Sequence, residues 1–376
     1  MIMSRNHKVM HISCLHPWND TRILFREAKT LSKEHDVELH AVADFKTRVY
    51  EGVIIVGLRK KIIWLRPIQW FILGWRSLRN SATVVHLHDP ELLLLGLVLC
   101  FFGKKVIYDV HEDVYEDILN KDWIPKPLRL IIAKIYLFFH KLSDIQLSAI
   151  VTATPTIAKQ FHNRQLVVVR NYPPLDVYSN NGQDFTSRKM HYPVRLIYVG
   201  TINRTRGVLN IVRALHHIPK GFEYRLDIVG SFADYKNFEI EVMEAAAVFS
   251  NNIFFHGRLE FPQVLKLMAQ AHVGLVCTQP TVNDLAGIPL KLFEYISAGL
   301  AVIISDFPSW YAYLEKYPPH EFVDSTKPED IARGIIKLVN NWNSFDTIWE
   351  QARTDIMSSY NWHTEGIKLT NLYKSI

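Results

Sequence analysis

Lys291 and Glu294 stand three residues apart within Ile288-Pro-Leu-Lys-Leu-Phe-Glu-Tyr-Ile-Ser-Ala-Gly299, and the apolar run Leu300-Ala-Val-Ile-Ile304 follows at once. This spacing puts a cation and a carboxylate on one face near the start of a short helix that Gly299 closes. The N–H groups of a first helical turn and a lysine suit an anion, while a carboxylate accepts two hydrogen bonds from a vicinal diol such as a ribose. A nucleotide sugar carries both groups. An ordinary surface Lys–Glu pair has the same spacing.

Other stretches concentrate titratable groups. His86-Leu-His-Asp-Pro-Glu91 and Asp109-Val-His-Glu-Asp113 each end an apolar run, and Asp20-Thr-Arg22 sits where a first strand gives way to a helix N-terminus. In doubly wound sheets ligands gather at the carboxyl ends of strands, so these positions are where chemistry is sought. Histidines capped by neighbouring acids for purely structural reasons would look alike. Arg22 at a helix start makes an anion site without a glycine-rich fingerprint, and a solvent-exposed first-turn arginine is the plainer alternative. Cys14, Cys100 and Cys277 are too far apart for a zinc or redox motif, and their odd number argues against a disulfide framework.

The elements that must position these groups are short β-branched runs alternating with helical segments. Residues 8–14, 37–43, 53–58, 83–87, 105–110, 148–153 and 166–169 read as strands of a parallel sheet covered on both faces, with helices near 67–79, 91–102, 126–142 and 155–162. Residues 172–192 lack periodicity and read as a linker. A second series places strands at 194–200, 224–229, 252–255, 273–277 and 301–305, with Gly200, Gly230 and Gly257 directly after or closing the first, second and third. The expected architecture is α/β, with two Rossmann-like domains at 1–175 and 190–359 and a C-terminal helix at about 360–376.

The chain has 376 residues with 48% apolar and 21% charged, enough for two sizeable cores. Its longest apolar run, 92–102, is shorter than the roughly 20 residues that span a bilayer, and no signal-peptide pattern opens it, so a cytoplasmic location is expected. Residues 1–180 hold 24 Lys+Arg against 17 Asp+Glu, and the remainder 19 against 20. Residues 59–79 interleave Trp64, Trp70, Phe71 and Trp75 with Arg59, Lys60, Lys61, Arg66, Arg76 and Arg79, and residues 128–141 repeat the theme. Such helices suit an anionic membrane surface on the inner face of the cell membrane, and no nucleic acid is expected as a partner. A core helix packing its tryptophans on the sheet is the rival explanation.

As a set, Asp20-Thr-Arg22, His86-Leu-His-Asp-Pro-Glu91, Tyr108-Asp-Val-His-Glu-Asp113, Val199-Gly200 with Arg206-Gly207, and Pro289 to Gly299 resemble the family-4 glycosyltransferases, particularly bacterial enzymes of capsule, O-antigen and exopolysaccharide assembly. The resemblance implies the GT-B fold, an acceptor-binding first domain, a donor-binding second domain and a C-terminal helix returning to the first. It implies that Glu294 binds the donor ribose and that Arg206, Lys291, Thr201, Arg258 and the N–H groups of Gly287 and Ile288 surround the diphosphate. His111 would lie near the transferred sugar, with Asp20, Thr21, Arg22, Asp89 and Glu112 on the acceptor side. Two positions depart from the family pattern. Ala286 replaces an acid, with Asp284 the nearest one, and Thr201 replaces a phosphate-binding arginine for which Arg204 or Arg22 would compensate. The activity so implied is transfer from a nucleotide diphosphate sugar to a lipid-linked or glycan acceptor with retention at the anomeric carbon. No Asp-x-Asp pair follows a strand, so neither metal nor cofactor is expected. A nucleotide-sugar epimerase and a non-catalytic assembly partner are the alternatives on the same fold.

Overall fold

A computed structural model describes residues 7–119, 124–179, 189–233, 236–281, 285, 287–345 and 348–376. Ala286, Asp284 and residues 180–188 of the expected linker lie outside the described residues. The chain forms two compact units, Met1–Asn171 with Trp362–Ile376, and Tyr172–Asn361.

The first unit is built on eight strands: β1 (Lys8–Pro17), β2 (Asp36–Val42), β3 (Thr47–Tyr50), β4 (Val53–Leu58), β5 (Val84–Leu87), β6 (Lys105–Val110), β7 (Ala149–Thr152) and β8 (Leu166–Val168). Their order is β3-β4-β2-β1-β5-β6-β7-β8, and every pairing is parallel except β3 with β4. The central strands are buried on both faces, as β-branched runs in a parallel sheet must be. Chain order reverses between β1 and β5, which makes their carboxyl ends the switch point of the sheet.

The C-terminal helix Trp362–Ser375 belongs to this unit. Trp362 Nε1 donates to Thr30 Oγ1 at 2.8 Å, and the Tyr373 hydroxyl meets His86 Nδ1 at 2.9 Å. Helix Arg66–Arg79 buries only Gln69, Leu73, Gly74 and Ser77. Trp64, Phe71 and Trp75 are exposed, so these residues do not form the tryptophan-filled core helix of the rival explanation. Trp70 is partly buried, with Nε1 donating to Glu91.

The second unit carries β9 (Val194–Val199), β10 (Tyr224–Val229), β11 (Ile253–Gly257), β12 (Val273–Val276), β13 (Ala301–Ser305) and β14 (His320–Val323). They form one parallel sheet in the order β11-β10-β9-β12-β13-β14, with its switch point between β9 and β12. Helix Leu290–Ser297 buries Leu292, Phe293, Tyr295 and Ile296 against that sheet. It ends where Gly299 takes φ +65° and Leu300 N–H returns to Tyr295 O at 2.9 Å, a Schellman closure.

Candidate functional site

Each unit gathers polar residues at its switch point, and the two collections differ in kind. In the first unit, Asp20 Oδ1 accepts from the N–H groups of Arg22 and Ile23 at 2.9 and 3.0 Å and starts the helix after β1. The next turn is wider than an α-helix, since Glu27 N–H bonds to Arg22 O five residues back at 2.9 Å. That widening carries Glu27 inward, where both Arg22 and Glu27 are buried.

Arg22 grips Asp109, which lies in β6, with Nε and Nη2 at 3.0 and 2.7 Å, donates through Nη1 to Val169 O at 2.9 Å, and lies 2.9 Å from Glu27 Oε1. Burial works against ionisation of Asp109, but the Arg22 charge with His111 and His88 more than reverses it and holds the carboxyl well below its usual range. Burial and the neighbouring Asp109 drive Glu27 the opposite way, well above its usual range. The shared arginine thus favours charge on Asp109 and leaves a second charge on Glu27 disfavoured. Arg22, expected to meet a ligand anion or compensate for Thr201, has its guanidinium enclosed and engaged with Asp109 and Val169 O.

Asp89, expected on the acceptor side, is fully buried and accepts from Ser13 Oγ at 3.0 Å and Cys14 N–H at 2.5 Å, fixing the end of β1. His88 Nδ1 lies 3.2 Å from Asp109 Oδ2, and its Nε2 lies 2.8 Å from His11 Nδ1. His111 stacks on His88 with centroids 5.9 Å apart and places Nε2 3.4 Å from Asp109 Oδ2, yet neither of its ring nitrogens has a hydrogen bond of good geometry. Burial lowers the His111 pKa to about 3 even though Asp109 opposes the shift, so the ring is neutral at physiological pH. Its side chain is 20% exposed, but both ring nitrogens are themselves buried beside the buried charge. Thr21 and Glu112 are exposed near these positions.

The second unit caps its strand ends with uncharged groups. Ser305 Oγ and Ser325 Oγ each donate to Thr278 O at 2.7 Å, Gln279 Nε2 donates to Ser325 O at 2.8 Å, and Gln279 N–H donates to Thr205 O at 2.7 Å. The loop after β9 is thereby tied to the loop after β12. Asn203 accepts from Arg206 N–H at 2.9 Å, and Gly207 at φ +73° turns the chain so closely that an added Cβ would lie 1.8 Å from Cys277 O. Arg206, Thr201 and Arg258 are exposed around this edge, while Gly287 and Ile288 are half-buried.

The Lys291–Glu294 helix is registered to the same edge by Tyr295. The Tyr295 ring lies where a Cβ on Gly274 of β12 would come within 2.3 Å of it, and its hydroxyl accepts from Val199 N–H at the end of β9 at 2.9 Å. Lys291 lies at the second helical position and donates to Glu294 Oε2 at 2.5 Å. Both are partly accessible. An exposed pair of this kind contributes about 0–1 kcal/mol, so a ligand that offers each partner a charge-assisted bond separates them at small cost. Residue types suggested Lys291 and Glu294 but not the Tyr295–Gly274 contact. The only trace of that contact in the sequence is a glycine inside an otherwise apolar strand.

Comparison with known proteins bears on the second unit most directly. Residues 183–355 match the family described as glycosyl transferases group 1. Two uncharacterized glycosyltransferases of Methanocaldococcus jannaschii, MJ1069 and MJ1607, are 24% and 23% identical to the chain over 46% and 48% of its length. The chain spans less than half of those relatives, 43% and 44%. Among solved structures, Anabaena Alr3699/HepE in complex with UDP superposes with TM-score 0.67 at 11% identity, over 98% of this chain and 99% of that one. Sucrose-phosphate synthase from Thermosynechococcus elongatus gives TM-score 0.69 at 14% identity over 98% and 99%. A UDP-forming trehalose-phosphate synthase from Burkholderia xenovorans gives 0.67 at 14% over 99% and 100%. At such identities the likeness establishes the fold, which is GT-B with two Rossmann-like α/β units.

Proposed function

We propose that the protein is a glycosyltransferase that moves a sugar from a nucleotide diphosphate sugar to a lipid-linked or glycan acceptor in cell-surface polysaccharide assembly, with retention of configuration. The observation that carries this reading is the Lys291–Glu294 pair at the start of helix Leu290–Ser297, in the unit that matches group 1 glycosyltransferases. Lys291, Arg206 and the N–H groups at Gly287 and Ile288 take the diphosphate, and Glu294 takes the ribose hydroxyls. Negative charge growing on the leaving diphosphate meets fixed cations and helix N–H dipoles, a role that needs no metal at this position. His111 contributes a neutral ring near the transferred sugar, consistent with its lowered pKa.

The acceptor side of the reading rests on the exposed aromatic face of the first unit. Trp64, Phe71 and Trp75, together with Phe101 and Phe102 at the end of helix Leu93–Phe101, are exposed, and Arg79 stacks 4.1 Å from the Trp75 ring. Exposed aromatics set among basic residues suit an anionic lipid surface where a lipid-linked acceptor resides, placing a cytoplasmic protein peripherally on the inner membrane face. Among the described residues no helix is long and apolar enough to cross a membrane.

A thermal-shift screen against UDP, GDP, ADP and dTDP tests the donor site, since a ligand at a hundred times its Kd stabilises by about 2.7 kcal/mol. UDP comes first because a structural neighbour is solved with UDP. Glu294→Ala is expected to weaken the responding nucleotide by about 1.5–3 kcal/mol without changing the stability of the free protein. Undiminished binding and turnover by that variant would remove the donor assignment. Incubation with the nucleotide sugar alone supplies the remaining control: an altered sugar without nucleotide release indicates an epimerase.

A further inference from the structure

His11, Glu27, His86 and His88 each bring a ligating atom to within 4.8 Å of those of the other three, and all four residues are almost wholly inaccessible to solvent. Among them His11 Nε2 and His86 Nε2 lack any hydrogen bond, and the Glu27 oxygens make none of good geometry although Oε1 lies 2.9 Å from Arg22 Nε. Buried polar atoms are rarely left in that state, and here several occur together.

Hydrogen bonding fixes which atoms carry lone pairs. Asp109 is a carboxylate and can only accept, so His88 Nδ1 bears the proton directed at it. His88 Nε2 is then an acceptor, His11 Nδ1 donates to it, and His11 Nε2 is left as a bare lone pair. His86 presents Nε2 in the same state when its Nδ1–H donates to the Tyr373 hydroxyl. An imidazole whose far nitrogen is held by a second group is how proteins orient metal ligands.

We propose that His11, His86 and Glu27 bind one divalent transition-metal ion, zinc being the reference case, as a structural site inside the first unit. One ligating atom of each residue lies within 4.8 Å of the others, a spread that an ion about 2.0–2.2 Å from each ligand would draw together. Glu27 would bind the ion as a carboxylate, so binding would release the proton that its raised pKa favours in the metal-free chain. The ion would join β1, β5 and the widened turn that bears Glu27. Because these residues are enclosed, it would not touch substrate.

The full chain, produced with added zinc and freed of loose metal by gel filtration, is analysed by elemental mass spectrometry. One zinc per chain is expected, with retention at least about tenfold lower in Glu27→Gln and in His86→Asn. Nucleotide binding by the second unit and the circular dichroism spectrum report whether each variant is folded. Crystals of the wild type should show an anomalous peak at the zinc edge between His11, His86 and Glu27. Three results overturn the proposal: no metal retained after equilibration with zinc, retention unchanged in both folded variants, or an anomalous peak elsewhere, such as beside His88, Asp109 and His111. In the first case Glu27 is held as the neutral acid.

Discussion

The carboxyl edges of the two sheets occupy equivalent places in similar topologies and solve the same problem with different chemistry. The first unit closes its edge with buried charge, in which Arg22, Asp109, Glu27, His88 and Asp89 are all internal and bonded mainly to one another or to the backbone. The second closes its edge with serine, threonine, glutamine and tyrosine contacts and leaves Arg206 outward. Buried ion pairs fix geometry, and their enclosed groups cannot reach a substrate. Uncharged caps leave the side chains of Arg206 and Lys291 outside the closed edge, at least partly accessible to solvent. On the proposed function, the residue-dense motifs of the first half serve largely as scaffold and the sparse Lys-x-x-Glu of the second half receives the donor.

Removing Arg22 is the strongest way to break this contrast. Arg22→Met leaves Asp109 as an uncompensated buried charge, and the loss expected is about 3–5 kcal/mol in urea unfolding of the first unit. Nucleotide binding by the second unit should persist. The pH dependence has a definite sign. Burial would raise the Asp109 pKa, Arg22 outweighs it, and the folded value is depressed. Such a group contributes stability that is present above the unfolded pKa of about 3.9 and lost as pH falls below it. The difference between wild type and variant should accordingly narrow as pH is lowered through about 4. Equal stability of the two proteins at neutral pH would mean that Arg22 is not the keystone of this edge.

Where the sequence was legible, the physics was local. The runs at 105–110 and 301–305 are too β-branched and too apolar to be anything but buried strands, and they are β6 and β13. β3 was missed because Thr47–Tyr50 is short and mostly exposed, with no apolar alternation to mark it, and it pairs antiparallel at the sheet margin. β14 was missed because His320–Val323 is only partly buried. The Arg22–Asp109 pair joins residues 87 apart in sequence, and nothing local announces it. A weak signal did exist: an aspartate inside the apolar run Val106-Ile-Tyr-Asp-Val110 needs a counter-charge once that run is read as buried. Lys291 and Glu294 were legible because helix periodicity alone puts them together.

A smaller effect sharpens the comparison from the side of the second unit. Gly207 occupies a left-handed conformation at φ +73°, and an added Cβ would meet Cys277 O at 1.8 Å. A non-glycine residue there costs of order 1–3 kcal/mol, and the turn it forces open carries Arg206. Gly207→Ala should lower the stability of the second unit by that amount and weaken nucleotide diphosphate binding in calorimetry, with the first unit unaffected. Normal affinity in a destabilised protein would separate the turn from the ligand and leave Lys291 as the main phosphate contact.

The smallest effect on folding is expected where the first unit meets solvent. Trp64, Phe71 and Trp75 are exposed by 85%, 82% and 60%, so truncating all three to alanine removes little buried area. Stability should stay within about 0.5 kcal/mol of wild type. Sedimentation with vesicles rich in anionic phospholipid should, by contrast, fall sharply, because both the aromatic anchors and the register of the neighbouring basic residues are lost. Added salt should weaken wild-type binding, since each lysine or arginine near such a surface contributes about 1 kcal/mol through a screened field. If the triple variant binds vesicles as well as wild type, the exposed face has another occupant; self-association of the wild type that the variant abolishes would identify it as a second copy of the chain.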